Sequence, residues 1–550
     1  MSSLVLPRSS YAILFSLAGV VYVIGLFVPL MDNDSAHHAN IALRMYQTGD
    51  YIHLIDKGND YLDKPHLHFW LSAQSYHVFG VTGFAYKFPS FVFTVLGTYS
   101  TYCLGKSLFH KEAGLLSALI VSTAFAYMLA NNDVRMDAIL TASIAFATWQ
   151  LVDWLNTRRL VNVAGAAIAL ALGFSTKGHI AVFTPLVSVF FYMLYKRDWK
   201  SVYHKHVPVM ILLFFLFISP VVYCYYIQYD LHPEKIIRGR SNVSGVEFIL
   251  WKQSFERFEG DSFGSDAKND YFFFLHSFLW AFAPWSILAF IAFVNRIKQF
   301  RTRSAEWLTT GTFATMMVLI SVSGFKLPHY LNIIFPIAAV MVASHLLRVQ
   351  NQERPQRHTA VIQMIVCFLL FIAAAIINLW AFPVSNVAVV AGLIVFITAG
   401  WLLFGSSKSR FEKIVAGSAF TALLVFYLLN ANFYPQLLQY QAGNELAPLV
   451  VKNIGAKNMY FQEGETSWSL NFYSNTLHQN FHDSLIDTRK KIWLATNNER
   501  FEQLTEMYRF GKIYSHIDFE ITRLEGKFIN PETRTEASRR MLIAEVLGRK

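Results

Sequence analysis

The sequence contains little charge. Only 15% of its 550 residues are Asp, Glu, Lys or Arg, whereas about one quarter is usual in a soluble domain. Hydrophobic residues make up 54% of the chain, and the mean hydropathy is +0.35. Apolar runs of about 18 residues or more recur, each long enough to cross about 30 Å of hydrocarbon. The composition therefore excludes an ordinary soluble domain and indicates a polytopic membrane protein.

Cysteine is also scarce, and nucleotide-binding motifs are missing. The three cysteines, Cys103, Cys224 and Cys367, lie in apolar segments without metal-ligand or disulfide spacing. No phosphate-binding loop or dinucleotide fingerprint is present, so no nucleotide substrate is expected. The net charge of +11 falls mostly in short loops between spans. Membrane topology explains that pattern better than nucleic-acid binding, and no nucleic-acid partner is expected.

The apolar runs and the loop charges predict a topology. Lys and Arg concentrate in alternate short loops, which marks the cytoplasmic side and places the N-terminus inside. An odd number of spans then puts the C-terminus outside, which for a bacterial inner-membrane protein is the periplasm. About thirteen spans are predicted, at roughly 11–30, 84–105, 112–130, 138–155, 161–175, 179–195, 207–228, 271–294, 307–323, 330–347, 359–380, 386–404 and 414–431.

The predicted fold is all-α in the membrane, with a small α/β domain outside it. Residues 1–434 form the transmembrane domain, with outer loops at 31–71 and 229–270, and residues 435–550 form the outer domain. Patterning in the first outer loop predicts an amphipathic helix over 35–48 and a second helix from Pro65. In the outer domain it predicts strands at 458–461 and 491–495 and helices at 445–453, 499–508 and 536–547.

The first outer loop is the stretch where chemistry is expected. It is pinned between membrane segments and carries Asp32, Asp34 and Asp63 beside His37 and Lys64. Further charges lie at the outer ends of other spans, where an ionisable group usually faces a cavity, although each alone could be an interfacial residue. In such an outer pocket the cations suit an anionic lipid phosphate, and a carboxylate beside them suits a reaction that needs a base. These further charges are Asp133, Arg135, Asp137, Lys177 and Lys326.

The order of these motifs resembles one enzyme family. The chain is similar over roughly 1–340 to the aminoarabinose lipid A transferases and protein O-mannosyltransferases, in the membrane-embedded C-type glycosyltransferase superfamily. The matching stretches are Asp34-Ser35, Gly49-Asp50, Tyr61-Leu62-Asp63-Lys64-Pro65, Arg135-Met136-Asp137, Thr176-Lys177-Gly178, Pro284-Trp285 and Lys326-Leu327-Pro328-His329-Tyr330. Three positions depart from the family: Ser35 replaces a Glu, His37-His38 replaces an Arg-Tyr pair, and Asp63 replaces a Glu. The aminoarabinose substrate is therefore not carried over.

The resemblance implies a reaction and roles for the residues. The donor would be a polyprenyl-phosphate sugar, transferred with inversion at the outer face of the inner membrane to a lipid A, protein or surface-glycan acceptor. Asp34 would be the base, and a neighbouring charge such as Asp32 would strengthen it. Lys64 would stabilise the leaving phosphate. Further phosphate-binding candidates are Arg135, Lys177, Lys326, Tyr61 and Tyr330, and Asp137 and His37 have supporting roles.

Several alternatives remain open at this point. Asp63 could hold a divalent metal with His66, His68, Asp266 or His276, although the histidine spacing is not that of a zinc site. The loop 229–270 could be a lid or a solvated connector. A lipid or solute transporter would also have many spans and internal charges, but it should show inverted repeats. A relative inactivated by Ser35 is a further possibility. A monomer in contact with membrane lipid is expected.

Overall fold

A long helical bundle forms most of the molecule. The computed structural model describes residues 5–32, 34–253, 256, 270–300, 306–407, 409–488 and 491–550. The helices up to the second outer loop are α1 (Arg8–Leu26), α2 (Asp34–Thr48), α3 (Leu67–Phe79), α4 (Gly83–Leu108), α5 (Lys111–Ser122), α6 (Phe125–Leu129), α7 (Asp137–Thr157), α8 (Leu160–Lys177), α9 (Ile180–Lys196) and α10 (His206–Tyr225).

The second half of the bundle continues in the same manner. A short helix, α11 (Gly245–Glu247), lies in the second outer loop, and a 3₁₀ turn (Pro328–Ile334) leads into α15. The remaining bundle helices are α12 (Phe273–Ala281), α13 (Ser286–Phe300), α14 (Leu308–Val322), α15 (Phe335–Val349), α16 (Glu353–Ala375), α17 (Val387–Ser406), α18 (Arg410–Leu428) and α19 (Tyr434–Leu437).

The helices agree with the predicted membrane segments. In the part of the chain that the structure describes, eight helices are long and apolar enough to span a membrane, or nine if the bent pair α12–α13 counts as one span. Each of the thirteen predicted segments falls on a helix or a helix pair. The all-α membrane fold is confirmed, whereas the number of crossings and the side of each terminus stay predictions. Helices α16 and α17 leave most of their apolar surface uncovered, as expected of surfaces that face lipid.

Helix α7 is the centre of the bundle and positions part of the site. It packs against α4, α8 and α9 and is buried along most of its length. Its first residue, Asp137, therefore lies at the outer end of a buried helix. Helix α8 ends at Lys177 because Gly178 takes a positive φ of 73°, a conformation that glycine adopts without strain. The two charges are thus presented at the same end of the bundle.

The first outer loop folds onto that end. Helix α2 covers almost exactly the predicted 35–48, and it stops at Gly49, whose φ is +69°. The second predicted helix begins at Leu67, two residues after Pro65. Between them is a hairpin of β1 (Ile55–Asp56) and β2 (Asn59–Asp60).

The outer domain is built on a four-stranded sheet. Its strands are β3 (Met459–Phe461), β4 (Ile492–Asn497), β5 (Tyr508–Asp518) and β6 (Arg539–Arg549), in the order β3-β4-β6-β5, with only the β3–β4 pair parallel. Its helices are α20 (Ala442–Leu449), α21 (Trp468–Tyr473), α22 (Asn498–Met507) and α23 (Gly526–Ile529). Both predicted strands and the first two predicted helices are confirmed.

The predicted helix over 536–547 is wrong, because that stretch contains strand β6. Its Glu, Ala, Leu and Met residues favour a helix when they are read locally. In the fold, β6 is a central strand paired with β4 and β5, and Met541 and Ile543 are buried in the sheet's core. Pairing on both edges outweighs the local preference. Strand β5 was not predicted at all.

The outer domain is docked on α2 and on the residues just before it by partly buried polar contacts. The Tyr473 hydroxyl accepts from the Leu30 amide at 2.7 Å, and the Asn40 amide group donates to the Trp468 carbonyl at 2.7 Å. Asp32 accepts from the Ser469 amide at 2.8 Å and from its hydroxyl at 2.9 Å. Burial raises the pKa of the Asp32 carboxyl to about 6, although the Ser469 hydrogen bonds act in the opposite direction. The first outer loop and the outer domain therefore lie on one side of the bundle.

Candidate active site

A polar cavity of about 350 Å³ opens at this end of the bundle. It lies between α2, the loop before α3, the start of α7, the end of α8 and the 3₁₀ turn before α15. All the residues that were given a role in the predicted reaction line it, except Asp32 and Lys326. The lining residues are Asp34, His37, His38, Tyr61, Asp63, Lys64, Arg135, Met136, Asp137, Lys177, Phe325, Leu327, His329 and Tyr330.

Asp32 and Lys326 are held elsewhere and do not line the cavity. Asp32 contacts the outer domain through Ser469 and does not line the cavity beside Asp34. Its predicted support of Asp34 stays a prediction. Lys326 is only 3% exposed, and its ammonium group lies 5.9 Å from the centre of the Tyr271 ring. Its chain neighbours line the cavity in its place.

Asp34 is held by an arginine. Arg135 Nη1 lies 2.8 Å from Asp34 Oδ2, and its Nη2 lies 2.9 Å from Asp133 Oδ2. The guanidinium group also approaches His329 Nδ1 at 3.3 Å. One cation thus serves two carboxylates, and its fixed fork of donors sets their orientation. This arrangement fits a residue that orients Asp34 better than the predicted role of Arg135 as a phosphate-binding cation.

Asp137 and Lys177 form a second, more buried pair. Lys177 Nζ lies 2.9 Å from Asp137 Oδ1, and the two side chains are 9% and 4% exposed. Each charge lies at the helix end that stabilises it, since Asp137 begins α7 and Lys177 ends α8. The ammonium group also lies 4.7 Å from the centre of the Tyr330 ring, a cation–π contact. This pair forms the inner wall of the cavity.

Breaking this pair should destabilise the protein. Lys177→Met leaves Asp137 buried without its cation, and the loss of one partner from a buried pair costs about 3–5 kcal/mol. Thermal unfolding in detergent should show a lower midpoint for Lys177→Met than for the wild type. The double variant Lys177→Met/Asp137→Asn should recover part of the loss, because it removes the unpaired charge. A single variant as stable as the wild type would contradict the importance of this pair for folding.

Lys64 lines the cavity where two outer loops meet. Its ammonium group is 2.8 Å from Asp63 Oδ2, and Arg238 from the second outer loop lies 3.7 Å from the other oxygen of the same carboxylate. Lys235 of that loop pairs with Asp60 at 3.2 Å. The described part of the second loop is therefore tied to the first by ion pairs. The predicted lid motion is not tested, and the predicted metal ligand Asp266 lies outside the described residues.

The donor set around Asp63 does not fit a metal. Its carboxylate is shared by two cations, His66 Nε2 lies 2.8 Å from the Ile52 carbonyl, and His68 Nε2 lies 3.0 Å from the Tyr86 hydroxyl. His276 pairs with Asp270 instead. Among the described residues, no group of three or more His, Cys, Asp or Glu side chains is arranged to hold an ion.

Three buried histidines of the first outer loop stay neutral. Burial lowers the pKa of His38 well below its usual range, and His37 and His68 act in the same direction. Burial also lowers the pKa of His66 to about 4 and that of His68 to about 3. These three imidazoles therefore add no positive charge at neutral pH. The charge available to an anionic ligand comes from Lys64, Arg135 and Lys177.

An apolar cavity of about 530 Å³ adjoins the polar one. The two cavities share Asp137, Lys177 and Tyr330 as a common wall. The larger cavity has mostly apolar lining residues besides these, among them Leu140, Ile180, Phe183, Trp251, Leu319, Ile320 and Ile333. A charged chamber joined to an apolar chamber is the shape that an amphiphile with a polar head requires.

Three contributors to the site were not assigned from the sequence. His329 lines the cavity beside Arg135, and its place within a recognised motif was a usable signal. Arg238 reaches Asp63 from a loop far along the chain. Trp468 belongs to the outer domain, yet its ring stacks on His37 with the centroids 4.2 Å apart. Contacts across such distances in sequence leave no local pattern.

Comparison with known proteins finds the same resemblance that the sequence motifs indicated. Residues 63–224 match the family model described as dolichyl-phosphate-mannose-protein mannosyltransferase. A Sodalis glossinidius undecaprenyl phosphate-alpha-4-amino-4-deoxy-L-arabinose arabinosyl transferase is 26% identical over 60% of this chain and 58% of its own length. The corresponding transferase of Pseudomonas aeruginosa is 22% identical over 89% of this chain and 91% of its own.

Solved structures share the fold. The crystal structure of ArnT from Cupriavidus metallidurans bound to undecaprenyl phosphate has a TM-score of 0.72 at 16% identity, over 97% of both chains. The Archaeoglobus fulgidus oligosaccharyltransferase has a TM-score of 0.51 at 9% identity, over 88% of this chain and 69% of its own. Fold and motifs resemble those of the membrane-embedded C-type glycosyltransferases. In sequence, the chain is similar to the aminoarabinose lipid A transferases and the protein mannosyltransferases, the resemblance that its motif order predicted.

Proposed function

We propose that the protein transfers a sugar from a polyprenyl-phosphate donor to an acceptor at the outer face of the inner membrane. The observation that carries this proposal is the junction of the two cavities at Asp137, Lys177 and Tyr330. A polyprenyl chain suits the apolar cavity, and its phosphate and sugar suit the charged one. The names of the relatives, which specify undecaprenyl phosphate, support the same class of donor.

Asp34 is the proposed base of an inverting transfer. It takes the proton from the acceptor oxygen while that oxygen attacks the anomeric carbon. The bond from that carbon to the phosphate oxygen breaks with its electron pair, so polyprenyl phosphate leaves as an anion. Arg135 holds the Asp34 carboxylate in position through the 2.8 Å contact.

Lys64 and Lys177 are the proposed partners of the leaving phosphate, with Tyr61 and Tyr330 as hydrogen-bonding groups. Both lysines contact carboxylates, at 2.8 and 2.9 Å. A phosphate that binds between them would share these cations with Asp63 and Asp137. Preorganised cations of this kind act most strongly on charge that grows as the bond breaks.

The identity of the sugar and of the acceptor is left at the level of class. The relatives' names specify 4-amino-4-deoxy-L-arabinose. This chain has Ser35, His37 and His38 where the family pattern differs, and both histidines line the cavity. We therefore propose a single sugar on a polyprenyl phosphate, with lipid A, a protein hydroxyl or a surface glycan as the acceptor.

Mass spectrometry of cells with and without the gene tests this proposal. Lipid A, glycoproteins, surface glycans and polyprenyl-phosphate sugars should be compared in the two strains. We expect one glycan to disappear in the deletion strain and one polyprenyl-phosphate sugar to accumulate. Unchanged glycans together with a polyprenyl-phosphate sugar redistributed across the membrane would instead favour a transporter.

A further inference from the structure

We propose that Trp468 of the outer domain is a positioning residue of the active site, because it fixes His37 on the side of the cavity where the acceptor binds. The inference rests on the proposed function. It assigns to the outer domain a role in transfer beyond covering the bundle. Nothing in the motifs of the membrane domain points to this residue.

The contacts of Trp468 lead directly to the cavity wall. Its indole stacks on the His37 imidazole at 4.2 Å and 26° between the planes. His37 lines the polar cavity and lies three residues after Asp34, which places both side chains on one face of α2. Movement of the imidazole would therefore change the wall next to the proposed base.

The hairpin closes this arrangement from the other side. His37 Nε2 lies 3.0 Å from Asp56 Oδ2, and the adjacent Lys57 places its ammonium group 4.3 Å from the centre of the Trp468 ring. His37 thus contacts Asp56 of the hairpin and the indole, and the indole in turn contacts Lys57. Three separate elements, α2, the β1–β2 hairpin and α21, meet at one imidazole.

The position of His37 indicates the acceptor side. The apolar cavity joins the polar one at Asp137, Lys177 and Tyr330, and His37 does not line it. A donor whose lipid tail occupies the apolar cavity brings its phosphate to that end. Asp34, the proposed base, must contact the acceptor oxygen, and His37 lies on the same face of α2, so the acceptor is expected on the side of the cavity that these two residues line.

The test compares Trp468→Ala with a control on the same interface. Gln47 also joins α2 to the outer domain, through a 2.9 Å hydrogen bond to the Asn475 carbonyl, but it does not line the cavity. Purified full-length Trp468→Ala, Trp468→Phe, Gln47→Ala, His37→Ala and Trp468→Ala/His37→Ala proteins are assayed with varied donor and acceptor. In parallel, diethyl pyrocarbonate modification of His37 is measured by mass spectrometry.

We expect Trp468→Ala to lower kcat/KM for the acceptor about 10- to 100-fold, as small misplacements in an active site do. The donor KM should change little, Trp468→Phe should retain most activity, and Gln47→Ala should match the wild type. In the His37→Ala background, Trp468→Ala should add no further loss. His37 should become more reactive in Trp468→Ala only.

Three results would overturn the inference: unchanged His37 reactivity in Trp468→Ala, the same loss in Gln47→Ala, or effects of Trp468 and His37 that multiply independently. A failure of the proposed function would give a different result. In that case the wild type itself would transfer no sugar, while the His37 modification would still report whether the indole positions the imidazole.

Discussion

Replacing Asp34 by Asn should lower sugar transfer about 10²- to 10⁴-fold, the range that general base catalysis supplies. Asparagine keeps the shape of the side chain and its carbonyl can still accept a hydrogen bond from Arg135, but it cannot take a proton from the acceptor. Donor binding should therefore persist. Transfer rates with purified protein and the binding of polyprenyl phosphate, measured side by side, test this prediction.

Asp133→Asn is the matched control for that variant. Asp133 contacts the same guanidinium at 2.9 Å, but it does not line the cavity. Its loss should change transfer by no more than a few-fold, since Arg135 retains Asp34. Equal losses in the two variants would show that the charge balance around Arg135 matters and that Asp34 is not the base. Full activity of Asp34→Asn would remove the proposed mechanism.

The location of the site was predictable because its residues lie in short motifs at the ends of apolar segments. Hydrophobic length places those ends at a membrane surface, and the alternation of basic loops assigns Asp34, Lys64, Arg135 and Lys177 to the same surface. The structure brings these four residues to one cavity. Segment ends are fixed by local sequence, so they could be predicted without the fold.

The partners of these residues were not predictable in the same way. Arg135 contacts Asp34 across about a hundred residues of chain, and Asp32 contacts Ser469 in another domain. Such pairings depend on how helices rotate about their axes and on where the outer domain docks. Strand β6 shows the same limit, because its two neighbours in the sheet, and not its own residues, decide its conformation. The sequence contains the charges, whereas the fold determines which charges meet.

The pairing pattern has a mechanistic consequence. Each of the cavity cations, Lys64, Arg135 and Lys177, contacts a carboxylate in the ligand-free molecule. A donor phosphate must therefore compete with those carboxylates for the cations. Lys177 is the most buried of the three, and Arg135 contacts two carboxylates, whereas the Asp63 partner of Lys64 has a second cation in Arg238. We therefore expect Lys64 to turn to a phosphate, since Asp63 would keep the Arg238 contact.

Lys64→Met should lower transfer about 10²- to 10³-fold, the usual cost of removing one preorganised electrostatic contact to a transition state. The fold should survive, because Asp63 retains Arg238. Since the phosphate gains charge as the glycosidic bond breaks, kcat should fall more than the affinity for the donor. Initial rates over a range of donor concentrations, with donor binding measured separately, distinguish the two effects.

Lys235→Met is the control for this last variant. Lys235, in the second outer loop, pairs at 3.2 Å with Asp60 of the first outer loop, which also contains Lys64. Lys235 does not line the cavity. Its replacement should leave kcat near the wild-type value. If Lys64→Met weakens donor binding and leaves kcat unchanged, Lys64 contacts the phosphate equally before and during bond breaking. The stabilisation of the leaving group would then have to come from Lys177, which lines both the polar and the apolar cavity.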